Sequence, residues 1–133
     1  MKKTIFYLCL LTTLICFAIT ASAQQQKGIH IALTGQIGTS EGWLNMDGTR
    51  GTYSYAIPNG RIERQLTFVS YNKKTGRLVL KATDQRGRYV GQFDGIYSTE
   101  TYYEDGQQLR TDTYQGTFTN NKGVKITFNL YMD

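Results

Sequence analysis

The stretch Gly91-Gln92-Phe93-Asp94-Gly95 reads as part of a β-strand, yet two of its five positions are glycine. Glycine weakens a strand, because it loses the most backbone entropy on folding and has no side chain to pack. The pattern recurs, as Gly51-Thr52-Tyr53 earlier in the chain and Gly116-Thr117-Phe118 later. In each case the glycine and the aromatic residue are two apart, so they share one face of a strand. Such spelling is architectural: the glycines let a sheet coil, and the aromatic neighbours cover the gaps.

Outward from this stretch, apolar and polar residues alternate with period two almost throughout. The alternation predicts strands at 29–37, 42–46, 49–55, 62–71, 77–83, 88–104, 107–119 and 124–132. Between them lie GTSE, DG, AIPNGR, NKKTG, DQRG, DG and NKG, all credible hairpin turns. Taking Asp105-Gly106 as a two-residue type I′ turn sets Phe93 against Phe118, Gly95 against Gly116 and Tyr97 against Tyr114. The NKG turn sets Phe118 against Ile126 and Gly116 against Phe128. Similar closures predict Leu80 opposite Gly91, Phe68 opposite Leu80, Gly51 opposite Leu44 and an outward Trp43 opposite Thr52. One face then stays apolar from strand to strand, and no helix-period segment is available to cover it. Closure buries that face and removes both edges. The fold class is therefore all-β, an eight-stranded antiparallel up-and-down meander closed into a small soluble barrel. An outer-membrane barrel needs its apolar band outside, whereas here the glycines bend the apolar face inward.

The N-terminus carries Lys2 and Lys3, an apolar run over 5–19 and the small-residue site Ala21-Ser22-Ala23, the pattern of a signal peptide over 1–23. A single barrel domain over 24–133 follows, about 110 residues, which suits one core. Both cysteines, Cys9 and Cys16, lie in the signal segment, so the mature chain has no disulfide framework. The expected destination is the periplasm or the outside of the cell. Without Lys2 and Lys3 the chain keeps 13 basic against 10 acidic side chains, a balance too mild to imply nucleic acid or an anionic membrane as partner.

An exported eight-stranded meander with repeated G-x-[YF] strands resembles the calycin-type barrels, lipocalins and avidins. It is also similar to small uncharacterised secreted β-proteins of Gram-negative bacteria. The resemblance implies a closed barrel and a binding habit. It transfers no ligand, since the chain has only Trp43 where avidins line their site with several tryptophans, and it lacks the lipocalin G-x-W.

No residue set points to catalysis. The mature chain has no cysteine, no G-x-S-x-G and one histidine, His30, on the outward parity of the first strand. One histidine and scattered acids supply no metal cluster and imply no cofactor. The acids Glu41, Glu63, Asp84, Asp94, Glu100, Glu104, Asp105 and Asp112 fall mostly in turns or on outward positions and read as ordinary surface acids. Two features stand out. Arg64 shares the inner face with Leu66 and Phe68 and faces Tyr53, so it belongs near a mouth, stacked on Tyr53 or with its head group reaching solvent. The loops at 38–41, 56–61, 84–87 and 121–123 ring that mouth and bring Arg61, Arg86, Arg88 and Lys122 to its rim. The second feature is the long 96–115 hairpin, which overhangs the other end and sets Tyr102 and Tyr103 on opposite faces. The leading expectation is a non-catalytic barrel binding a small anionic or sugar-like ligand through Arg64, Tyr53 and Arg88. The alternative is a protein interaction module, or an inhibitor of a secreted hydrolase, acting through its loops and the tyrosines of the hairpin.

Overall fold

The computed structural model describes residues 27–132. The expected signal segment 1–23 and its cleavage point lie outside the described residues. Eight strands follow in order: β1 (Ile29–Ile37), β2 (Ser40–Gly48), β3 (Arg50–Ile57), β4 (Gly60–Tyr71), β5 (Arg77–Thr83), β6 (Tyr89–Glu104), β7 (Gln107–Asn120) and β8 (Lys125–Tyr131). Each pairs antiparallel with its sequence neighbours, and β1 pairs with β8, so the meander closes into a barrel. Among the described residues no helix is long and apolar enough to cross a membrane.

The like-with-like pairs set by the Asp105-Gly106 turn are present: Phe93 opposite Phe118, Gly95 opposite Gly116 and Tyr97 opposite Tyr114. Asp105 and Gly106 both have positive φ, 50° and 79°, as a type I′ turn requires. At the Gly95–Gly116 pair the two strands approach so closely that a Cβ on Gly116 would run into the backbone of Asp94 and Gly95. Closeness of this kind is available only to glycine, and the rings beside the pair fill the space it leaves. Phe93, Tyr114, Leu44, Leu66, Leu78, Leu80 and Leu130 are fully buried.

Those rings meet across the barrel. Tyr53 on β3 lies 4.9 Å from Phe93 on β6, edge to face, and 6.0 Å from Phe118 on β7. Phe93 in turn packs at 4.7 Å on Phe118 and 5.1 Å on Phe128, and Phe128 packs at 4.7 Å on Tyr114. In an eight-stranded ring β3 and β7 are diametrically placed, so direct ring contact between them means that side chains fill the interior at this level.

Two junctions differ from the expected register. β2 and β3 pair Leu44 with Tyr53 and Met46 with Gly51, not Leu44 with Gly51, and Trp43 faces Ser54 rather than Thr52. The turn residues are Gly48-Thr49, with Gly48 at φ 78°, rather than Asp47-Gly48. Glycine at the first central position is the type II′ arrangement, which competes with the Asp-Gly reading. At the second junction Leu80 faces Phe93, and it is Ala82 that faces Gly91. There Asp84 accepts the backbone N–H groups of Arg86 (2.8 Å) and Arg88 (3.0 Å), which builds a wider loop, and the register shifts by one residue beyond Ala82. Phe68 does face Leu80. A bulge then skips Val69, which brings Tyr71 onto the core side against Tyr97, 6.0 Å between ring centres. Every shift preserves the side of the sheet for the main core residues, so the closed apolar interior survives both corrections.

Candidate functional site

The alternate turns β1–β2, β3–β4, β5–β6 and β7–β8 share one end of the barrel, as a meander demands. Two hollows open there. One, of about 370 Å³, lies between Arg64 and the β5–β6 loop and is lined by Asp84, Gln85, Arg86 and Arg88. The other, of about 520 Å³, is walled by Tyr53, Tyr55, Val90, Phe118 and Ile126 and edged by the β1–β2 turn and Lys122. Tyr53 and Arg64 are direct partners across the β3–β4 ladder, so each of these neighbours contributes to one of the two hollows.

Arg64 is placed by alternation. Its inward parity would bury a charge, but it sits in the first half of β4, close to the β3–β4 turn, and lines the hollow at that end. Its Nε is buried and has no hydrogen-bond partner. A buried donor left unpaired costs about 1–3 kcal/mol. Arg88 is partly neutralised: its Nε donates to Asp84 Oδ2 at 2.9 Å. Backbone hydrogen bonds, above all from Arg88, hold the Asp84 carboxyl below the usual carboxylate range, so it is ionised beside the hollow. Three guanidinium groups against one carboxylate leave this hollow net positive. Tyr53 is 3% exposed, and burial pushes its hydroxyl well above the ordinary tyrosine range, with Tyr55 adding to the rise and Arg64 opposing it. It is a neutral donor and ring wall, not a phenolate.

Of the five residues singled out in the sequence, Arg64 and Arg88 therefore share one hollow, with Tyr53 in the adjoining one. Tyr102 and Tyr103 are on the β6–β7 hairpin, whose turn is at the opposite end, and they take no part in this site. Arg61, expected on the rim, instead lies over the outer face of the wall, its guanidinium 4.0 Å above the Trp43 ring. That contact accounts for an outward tryptophan. Among the described residues no group of three His, Cys, Asp or Glu side chains is placed to hold a metal ion.

One acid expected on the surface is buried in the structure. Asp112 is only 5% exposed. It accepts the Tyr97 hydroxyl at 2.7 Å and the Arg110 guanidinium at 2.9 and 3.1 Å. Burial alone would raise its pKa, but the hydrogen bonds from Arg110 and Tyr97 prevail and hold it below the carboxylate range. The signal was available, since Asp112 shares the even parity of the inward Tyr114, Gly116 and Phe118. This cluster fastens the base of the long hairpin to the barrel end, where Met132 also donates its N–H to the Asp112 carbonyl at 2.9 Å.

Comparison with protein-family models, curated proteins and solved structures finds no match to the chain.

Proposed function

We propose that this chain is an exported, non-catalytic binding barrel that takes a small anionic or sugar-like ligand at the mouth formed by Arg64, Tyr53 and Arg88. The observation that carries the reading is the buried, unpartnered Nε of Arg64 at the edge of a net-positive hollow. An incoming acceptor would remove the cost of that lone donor, and planar guanidinium groups suit carboxylate, sulfate or phosphate oxygens. The aromatic contacts across the interior argue for binding at the mouth rather than storage within the barrel. The test is a thermal-shift screen of acidic sugars, lipids and aromatic acids against the parent and an Arg64→Ala variant. Ligands that stabilise the parent and lose that effect in the variant support the mouth. Hits of undiminished size in the variant reject it. A second reading, contact with a protein along the long hairpin, is supported by the 75% exposure of Tyr103 near its tip.

A further inference from the structure

The two hollows at the mouth differ in chemistry and adjoin at two places. Tyr53 of the aromatic hollow is the ladder partner of Arg64, and Val90 of the same hollow follows Arg88 by two residues in the chain. The charge of Arg64 is felt across this border, since it opposes the rise that burial imposes on the Tyr53 hydroxyl. On the positive side only Arg88 is neutralised, by Asp84. Among the described residues Arg64 and Arg86 have no ion-pair partner, and the buried Nε of Arg64 has no hydrogen-bond acceptor. That side lacks an anion.

The other side suits a flat apolar body. Tyr53 and Tyr55 are two apart on β3, with ring centres 6.2 Å apart and planes within 19° of parallel. Phe118, Val90 and Ile126 form further walls. Fully buried Phe93 packs on both Tyr53 (4.9 Å) and Phe118 (4.7 Å), so the hollow has a floor of rings and a long acyl chain cannot descend into the barrel. The amide side chains of the rim are committed to their own loop. Asn120 Oδ1 accepts the N–H groups of Lys122 and Val124, both at 2.9 Å, and Asn121 Nδ2 donates to the Tyr89 carbonyl at 3.4 Å. A polyol would find few partners for its hydroxyls against these walls. At about 520 Å³ the hollow falls within the usual span of small-molecule sites, roughly 300–1,000 Å³.

On the reading of the mouth as the binding site, we propose that its ligand is an aromatic carboxylic acid, with its ring among Tyr53, Tyr55 and Phe118 and its carboxylate on Arg64. The carboxylate accepts from the Arg64 guanidinium, and Arg86 adds a second positive charge beside it. The ring packs offset or edge-on against the tyrosines, the arrangements that aromatic quadrupoles favour. Both parts are needed. An anion without a ring leaves the aromatic walls wet, and a ring without a charge leaves the guanidinium groups unanswered.

Isothermal titration calorimetry with naphthylacetate tests this, beside three compounds that each lack one feature. Naphthylacetamide has the ring without the charge, octanoate the charge without the ring, and galacturonate carries its acid on a polyol. Naphthylacetate should bind tightest, with each of the others weaker by about tenfold or more, the scale of one lost charged hydrogen bond or ring contact. Arg64→Gln should weaken naphthylacetate by about tenfold or more and leave naphthylacetamide unchanged. Ile126→Asp sets a carboxylate on the aromatic wall, at a position 39% exposed, and should also weaken naphthylacetate. It carries the test if Arg64→Gln is misfolded by circular dichroism. Octanoate, galacturonate or the amide binding as tightly as naphthylacetate would overturn the aromatic acid as ligand class, as would naphthylacetate that does not bind. If octanoate or galacturonate then loses its binding in Arg64→Gln, the mouth itself stands. Naphthylacetate that binds undiminished in both variants would reject the class and the mouth together.

Discussion

Replacing Gly116 by valine tests the physical basis of the fold most directly. A Cβ built at this position would overlap the Asp94 carbonyl oxygen and the Gly95 Cα and sit 3.0 Å from the Asp94 carbonyl carbon. All three obstacles are backbone of the neighbouring strand, so no rotamer change relieves them. β6 and β7 must separate at this pair, which disturbs the stack of Phe93, Phe118 and Phe128 beside it. Overpacking of a well-packed site costs about 1–3 kcal/mol, and rigid obstacles place this one at the upper end, about 3 kcal/mol. For a domain of this size each kcal/mol lowers the melting temperature by roughly 4–8 °C, so a fall of about 12–24 °C is expected. Gly95→Val should behave alike, because its Cβ would meet the Gln115 carbonyl carbon and the Phe128 ring edge, each at 2.8 Å. Thr117→Val on the other face is the control and should stay within about 0.5 kcal/mol. Thermal and urea unfolding followed by circular dichroism provide the readout. Glycine variants that melt with the parent would refute the idea that close approach at this pair closes the barrel.

Three further outcomes are expected. Asp112→Ala should cost about 1–3 kcal/mol, since it strips the buried Tyr97 hydroxyl and Arg110 of their acceptor. Asp112, Asp84 and Asp94 are all held below the ordinary carboxylate range, so their contribution is present above the unfolded pKa of about 4 and is lost as pH falls through the folded values. Melting temperature measured from pH 7 to pH 2 should therefore drop at the acid end, and by less in Asp112→Asn; an equal drop would remove Asp112 from the account. Intact-mass measurement of protein from a periplasmic or culture fraction should give a chain beginning at Gln24, and an uncleaved or lipid-modified species would contradict export by a cleaved signal peptide.

The fold was legible in the sequence where turn chemistry admits one answer. Asp105-Gly106 fits only a type I′ turn, and from it the whole β6–β7 ladder follows. Legibility failed where a glycine could serve two turn types. Gly48 could be the second residue of an Asp-Gly turn or the first of a Gly-Thr turn, and the second choice moves β3 by two residues against β2. It failed again where a side chain builds the loop, because Asp84 capping two backbone N–H groups has no periodic signature. The Arg64–Tyr53 pairing was readable from alternation across the Pro58 turn. Asp112 was equally readable by parity, but an acid between Thr111 and Thr113 resembles a solvated position until its partners are seen. Those partners, Tyr97 and Arg110, come from two strands, and only the assembled register brings all three together.

The glycines that open this reading also set where function can lie. By letting β6 and β7 coil tightly they narrow the barrel until Tyr53 from one wall touches Phe93 and Phe118 from the other. An interior closed by its own rings has no room for a guest at that depth, and recognition is left to the ends. The two ends are chemically unlike. At one, an arginine with an unpaired buried donor borders a positive hollow and an aromatic one. At the other, a buried Tyr97–Asp112–Arg110 cluster anchors the long hairpin. The first offers directed donors to a small acceptor. With the packed rings between them, Arg64→Ala at one end and Asp112→Ala at the other should act independently, their effects on stability adding within about 0.5 kcal/mol. That independence follows from the same close packing that the valine substitutions probe.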